Sequence, residues 1–151
     1  MPFHFSLQPL LNWKKSLEEQ SQMRLAGMMT RLKAKEEEIE KLTLQRLACE
    51  QKLKEKSEQG MPAGEYVLFK QFGEESRKEL ISKEDEKRRI LREMDQERGK
   101  LLALTKEKKT LERLKEKQLK EFLSRLQKAE QKRADETTTL KYQPRPRGDI
   151  S

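Results

Sequence analysis

The residues in this chain that could do chemistry are few and poorly placed for it. It has one histidine, His4, and one cysteine, Cys49, distant from each other in sequence. A single histidine with a single cysteine makes neither a zinc ligand set nor a cysteine–histidine nucleophile pair. Cys49 excludes an internal disulfide and falls in an apolar pattern, where a thiol behaves as a small hydrophobe; a reducing setting fits. The acidic groups Glu36-Glu37-Glu38 and Glu84-Asp85-Glu86 are followed by bases. They read as solvated helix faces with i,i+4 ion pairs, without the loop that calcium needs. No G-x-x-x-x-G-K-[ST] is present to cradle a nucleotide. The basic groups Lys87-Arg88-Arg89 and Lys106-Glu107-Lys108-Lys109 have glutamates interleaved and no aromatics alternating with them, so no nucleic-acid partner is expected. No catalytic constellation, metal site or cofactor site emerges, and the chain is not expected to be an enzyme.

The elements that carry these residues follow from composition and punctuation. Charged residues make up 41% of the 151 residues and the hydrophobic set only 32%. Ala, Glu, Lys, Leu and Arg supply 87 positions, while there is one Val and four Ile. That balance disfavours a sheet and a globular core and suits long helices with a narrow apolar seam. Proline occurs at 2, 9, 62, 144 and 146 only, leaving two long proline-free stretches. Because proline in a helix interior costs about 3 kcal/mol, its confinement marks where helices end. Gly60 suits the left-handed residue after a helix, and Pro62 suits the start of the next. A connection this short makes its helices antiparallel.

The fold expected is therefore all-α, a long antiparallel two-helix coiled coil. Residues 1–7 are read as a flexible apolar N-terminus, 8–57 as the first helix and 58–62 as the turn. Residues 63–138 are the second helix and 139–151 a flexible tail. At 1.5 Å per residue the helices would be roughly 75 and 110 Å long. The first helix carries a heptad seam of Leu11, Leu25, Leu32, Ile39 and Leu53, alternating with Leu7, Met28, Leu42 and Cys49. Glu18, Ser21, Lys35 and Arg46 interrupt it. The second helix offers Phe69, Ile90, Leu104 and Leu111 against Leu80, Met94, Leu101 and Phe122. Near Leu114 the apolar phase shifts to Leu119, Phe122, Leu126 and Ala129, which predicts a stutter in the packing.

Three features point outward. Tyr66, Phe69 and Phe72 lie at i, i+3 and i+6 beside the turn, more aromatic surface than a two-helix hairpin easily covers. Trp13 and the apolar residues 3–11 have no obvious cover of their own. Net charge is +8 overall and +6 for residues 101–151, so the last third is the basic end. No apolar run is long enough to span a membrane, and residues 1–13 lack the basic start and small-residue cleavage site of a signal peptide.

Four segments carry a family likeness. They are Phe5-Ser6-Leu7-Gln8-Pro9-Leu10-Leu11, the Tyr66-x-x-Phe69-x-x-Phe72 set, Leu111-Glu112-Arg113-Leu114-Lys115-Glu116-Lys117, and Glu130-Gln131-Lys132-Arg133-Ala134-Asp135-Glu136. In order, spacing and extent the chain resembles the flagellar export protein FliJ family, and more loosely its counterparts in virulence-type secretion systems. The resemblance implies a non-enzymatic component of the flagellar type III export apparatus, similar to the central stalk of rotary ATPases. The partners it implies are the hexameric export ATPase, the cytoplasmic domain of the membrane export gate, and export chaperones. The implied location is cytoplasmic, peripheral on the inner membrane through those partners.

It also implies sites. Residues 5–25 and 110–136 would face the ATPase, giving Leu10, Leu11, Trp13, Leu119, Phe122, Leu126, Lys132 and Arg133 as candidates. Leu42, Tyr66, Phe69 and Phe72 are the candidates for the gate. Leu42 and Phe72 match the family's gate positions in type, whereas most of Glu38, Gln45, Cys49, Ser76, Glu79 and Lys83 differ. The competing readings are a generic coiled-coil scaffold and a basic nucleic-acid-binding coiled coil.

Overall fold

A computed structural model describes residues 2–141 and contains two long helices. Helix α1 runs Gln8–Gln59 and helix α2 runs Ala63–Lys141, and no strand occurs among the described residues. Both helices end later than punctuation alone suggests, α1 by two residues and α2 by three. Gly60 adopts φ +91°, the left-handed conformation that costs an L side chain energy, and so ends α1. Pro62 stands just before α2, where its lack of an N–H leaves no orphan donor. Its carbonyl accepts from the N–H groups of Glu65 (3.1 Å) and Tyr66 (3.2 Å), closing the first turn. The proposed tail beyond Lys141 lies outside the described residues.

The chain divides into two compact units. The larger, Ser16–Leu104, is a hairpin in which the two helices pack along the seam read from the heptads. On α1 its positions run Glu18, Ser21, Leu25, Met28, Leu32, Lys35, Ile39, Leu42, Arg46, Cys49 and Leu53. On α2 they run Phe69, Gly73, Ser76, Leu80, Lys83, Lys87, Ile90, Met94, Glu97, Leu101 and Leu104. Every one is buried or half-buried, at an unbroken 3–4 spacing. The interruptions noted in sequence thus lie inside the seam. Leu42, Ile90 and Met94 are the buried apolar side chains of this unit, each worth about 1.5–3 kcal/mol. So thin a core leaves much of the pairing to polar contacts.

Those contacts are specific. Ser21 is fully buried, and its hydroxyl donates to Glu97 Oε1 at 2.7 Å; Arg24 Nε donates to the same oxygen at 2.9 Å. Ion pairs flank the seam, among them Lys35 with Glu86 (2.5 Å), Lys83 with Glu38 (3.1 Å) and Arg31 with Glu93 (2.9 Å). Lys56 pairs with Glu65 across the turn.

Among the described residues, the second unit joins the N-terminal segment up to Lys15 to α2 from Thr105 onward. Leu11 is 1% exposed, and Lys14 pairs with Glu107 at 2.6 Å. Residues 2–7 are not the free apolar terminus that sequence suggests. Phe5 is 3% exposed, Leu7 is half-buried, and the Phe3 ring sits 5.6 Å from that of Phe122 at 49°. The reason is hydrophobic: apolar side chains outside the helix find cover, Phe3 against Phe122 of α2. The expected shift of phase does not displace the seam. A 3–4 series of half-buried positions continues as Lys108, Leu111, Lys115, Gln118 and Phe122. Thr105, Glu112 and Leu114 beside it are half-buried too, so the packed face broadens where the apolar pattern shifts. Long lysine stems can line a seam while their ammonium groups reach water, so the packing keeps its phase where the apolar residues leave it.

Candidate partner-binding surfaces

In the hairpin unit the aromatic set beside the turn is open. Tyr66 and Phe72 are exposed and Phe69 is half-buried. Lys56 Nζ stands 5.6 Å from the Phe69 ring and Lys70 Nζ 5.6 Å from the Tyr66 ring, so cations border both aromatic faces. Val67 and Leu68, which sequence reasoning passed over, widen the apolar surface. Their signal was the continuous apolar run Tyr66-Val67-Leu68-Phe69, of which a two-helix seam can bury one side only.

Next to this set the seam has a hollow of about 290 Å³, lined by Cys49, Leu53, Phe69, Phe72 and Ser76 among others. Its cause is Gly73. A seam position there carries no side chain, and a Cβ built on it would meet no atom within 4 Å. Leu42, a gate candidate, behaves differently. At 7% exposed it is a core residue of the hairpin, offering a partner little more than an edge.

In the other unit the candidates separate in the same way. Leu11 is core. Leu10 is exposed, and Trp13 is 56% exposed with Lys14 Nζ 5.0 Å from its ring. Phe122 is half-buried under Phe3, whereas Leu119 and Leu126 are exposed, as are Lys132 and Arg133. Leu123, absent from the sequence-based candidates, is 52% exposed and completes a stripe with Leu119 and Leu126 at spacings of four and three. That is one face of a helix. Leu119 stands beside the seam, and Leu123 and Leu126 lie beyond Phe122, where α2 has no half-buried position among the described residues, so the unit's own packing leaves the stripe open. Every residue from Leu123 to Leu140 is exposed.

Away from these surfaces, in the middle of the hairpin, the electrostatics is that of paired surface charge. Hydrogen bonds from Lys35 and Lys83 hold the Glu38 carboxyl below its ordinary value, and Lys35 does the same for Glu86. Lys35 is raised in return, chiefly by its hydrogen bond to Glu86. Among the described residues no group of three His, Cys, Asp or Glu side chains could hold a metal ion, and no helix is long and apolar enough to cross a membrane.

Two long helices that pack against each other, with polar residues in the seam, define the class of helical-hairpin proteins. The particular family follows from comparison with known families. The model of the flagellar FliJ protein matches residues 3–147, nearly the whole chain. The chain belongs to the FliJ family and is thereby a component of the flagellar export apparatus. No curated protein and no solved structure matches it.

Proposed function

We propose that the chain is a non-catalytic coiled-coil stalk that binds the export ATPase ring and couples it to the export gate. The observation that carries this reading is the exposed off-seam stripe of Leu119, Leu123 and Leu126. Folding of the chain alone leaves it uncovered, and the basic residues Lys132 and Arg133 follow it on the same helix. Apolar surface arranged at helical spacing fits a partner that packs against a helix face. Leu10 and Trp13 extend the ATPase surface from α1. Tyr66, Phe69 and Phe72, with the hollow at Gly73, supply a second surface suited to the cytoplasmic domain of the gate. Escort of export chaperones belongs to the same reading, as does a cytoplasmic position peripheral to the membrane through these partners.

The test is a titration of the export ATPase with the wild-type chain and with Leu123→Glu/Leu126→Glu. Neither leucine is in the seam, so helicity should be unchanged. Affinity and stimulation of ATP hydrolysis should fall by about tenfold or more, as for loss of central apolar anchors. Full stimulation by the double variant would refute the ATPase assignment. Phe72→Ala should weaken gate binding selectively, leaving stimulation of the ATPase intact.

A further inference from the structure

Residues 2–7 lie outside both helices and have no helical ladder of their own. The contacts that bring them into α1 are two backbone bonds, from the Gln8 N–H to the Phe5 carbonyl (3.0 Å) and from the Leu11 N–H to the Leu7 carbonyl (2.9 Å). Despite this light attachment the segment carries Phe3, Phe5 and Leu7, and its Phe3 ring reaches α2 at Phe122. Phe5 is buried, and Phe3 lies on Phe122, the last half-buried position of α2 among the described residues. Position 122 adjoins the open stripe, three residues after Leu119 and four before Leu126. Leu119, Phe122, Leu123 and Leu126 together span about 100° of the helix, the width of a full packing face. With Phe3 in place that face is cut to its outer strip.

We propose that residues 2–7 are a strap that occupies, within the same chain, the edge of the partner-binding face at Phe122. Engagement of a partner on Leu119, Leu123 and Leu126 lifts Phe3 away and completes the face. The inference rests on the reading above that this face binds the export ATPase, and it adds a self-blocking step to that binding. The strap suits such exchange because it holds by side-chain packing, which a partner's apolar side chains can reproduce.

The experiment measures affinity for the export ATPase with Phe3→Ala, Phe5→Ala and Leu126→Glu in the full chain, with helicity checked by circular dichroism. Phe3→Ala deletes an aromatic pair made only in the closed state. It should tighten binding by about three- to tenfold. Phe5→Ala, which removes the buried anchor, should act in the same direction. Unchanged or weaker binding by both variants overturns the strap and makes the segment inert or part of the binding surface. Leu126→Glu separates the two proposals. If it binds as wild type, the ATPase reading itself fails. If it loses binding while neither phenylalanine variant gains, the strap alone fails.

Discussion

The most telling residue in the hairpin is Glu97, a carboxylate 4% exposed in a seam otherwise short of apolar groups. It is tolerated because Ser21 and Arg24 both donate to the same oxygen. The Ser21 hydrogen bond is the chief reason its carboxyl lies below the ordinary value; Arg24 adds to it, while burial pushes the other way. Ser21→Ala removes one of two donors from a buried charge and should cost about 1–2 kcal/mol in thermal melts. Replacing both groups with apolar ones, Ser21→Ala/Glu97→Met, should restore or exceed wild-type stability, since buried polar pairs often cost more than they return. The pH dependence has a definite sign. Glu97, Glu38 and Glu86 are all held below the ordinary carboxylate value in the folded chain. Their contribution is complete above that value and lost as pH falls through the depressed ones. Melting temperature should therefore drop on acidification below about pH 4.5, and Glu97→Gln should flatten that drop.

At the scale of the elements, the two glycines near the turn make opposite predictions. Gly60 holds φ +91°, so Gly60→Ala should destabilise by about 1–2 kcal/mol. Gly73 lies within α2 with open space around its missing Cβ, so Gly73→Ala should stabilise by about 1 kcal/mol through helix propensity. Melting curves of the two variants check both signs. The helices themselves were legible from proline placement and heptads, because helix ends and seam spacing are local properties of the chain. The stutter was misread because apolar pattern was taken for packing. Leu119, Leu123 and Leu126 do leave the seam, but Lys115 and Gln118 stay in it. Leu11 and Leu42 were read both as seam residues and as partner candidates, and their burial follows the seam reading, since a leucine that closes a seam and one that meets a partner look alike in sequence. The seat of Phe3 was invisible for a different reason: it depends on a contact with Phe122, more than a hundred positions away.

For the molecule as a whole, the seam consumes its own apolar positions, and single apolar side chains such as Met23, Met29, Leu44, Leu47, Ile81, Leu91 and Leu102 stay open along both helices, while two places gather several together. The compact unit that joins the N-terminal segment to the last part of α2 offers an apolar stripe among basic residues. The hairpin unit offers aromatics beside a hollow. Polar groups in the seam disfavour alternative pairings, as buried polar positions do in coiled coils, and so keep those surfaces where the chain folds them. The most direct test of this account is amide hydrogen exchange on the chain alone and bound to the export ATPase. New protection is predicted across residues 119–141, with the seam from Ser21 to Leu42 unchanged. Protection appearing in that seam instead, or nowhere in 119–141, would contradict the claim that the chain binds through the surface its own folding leaves open.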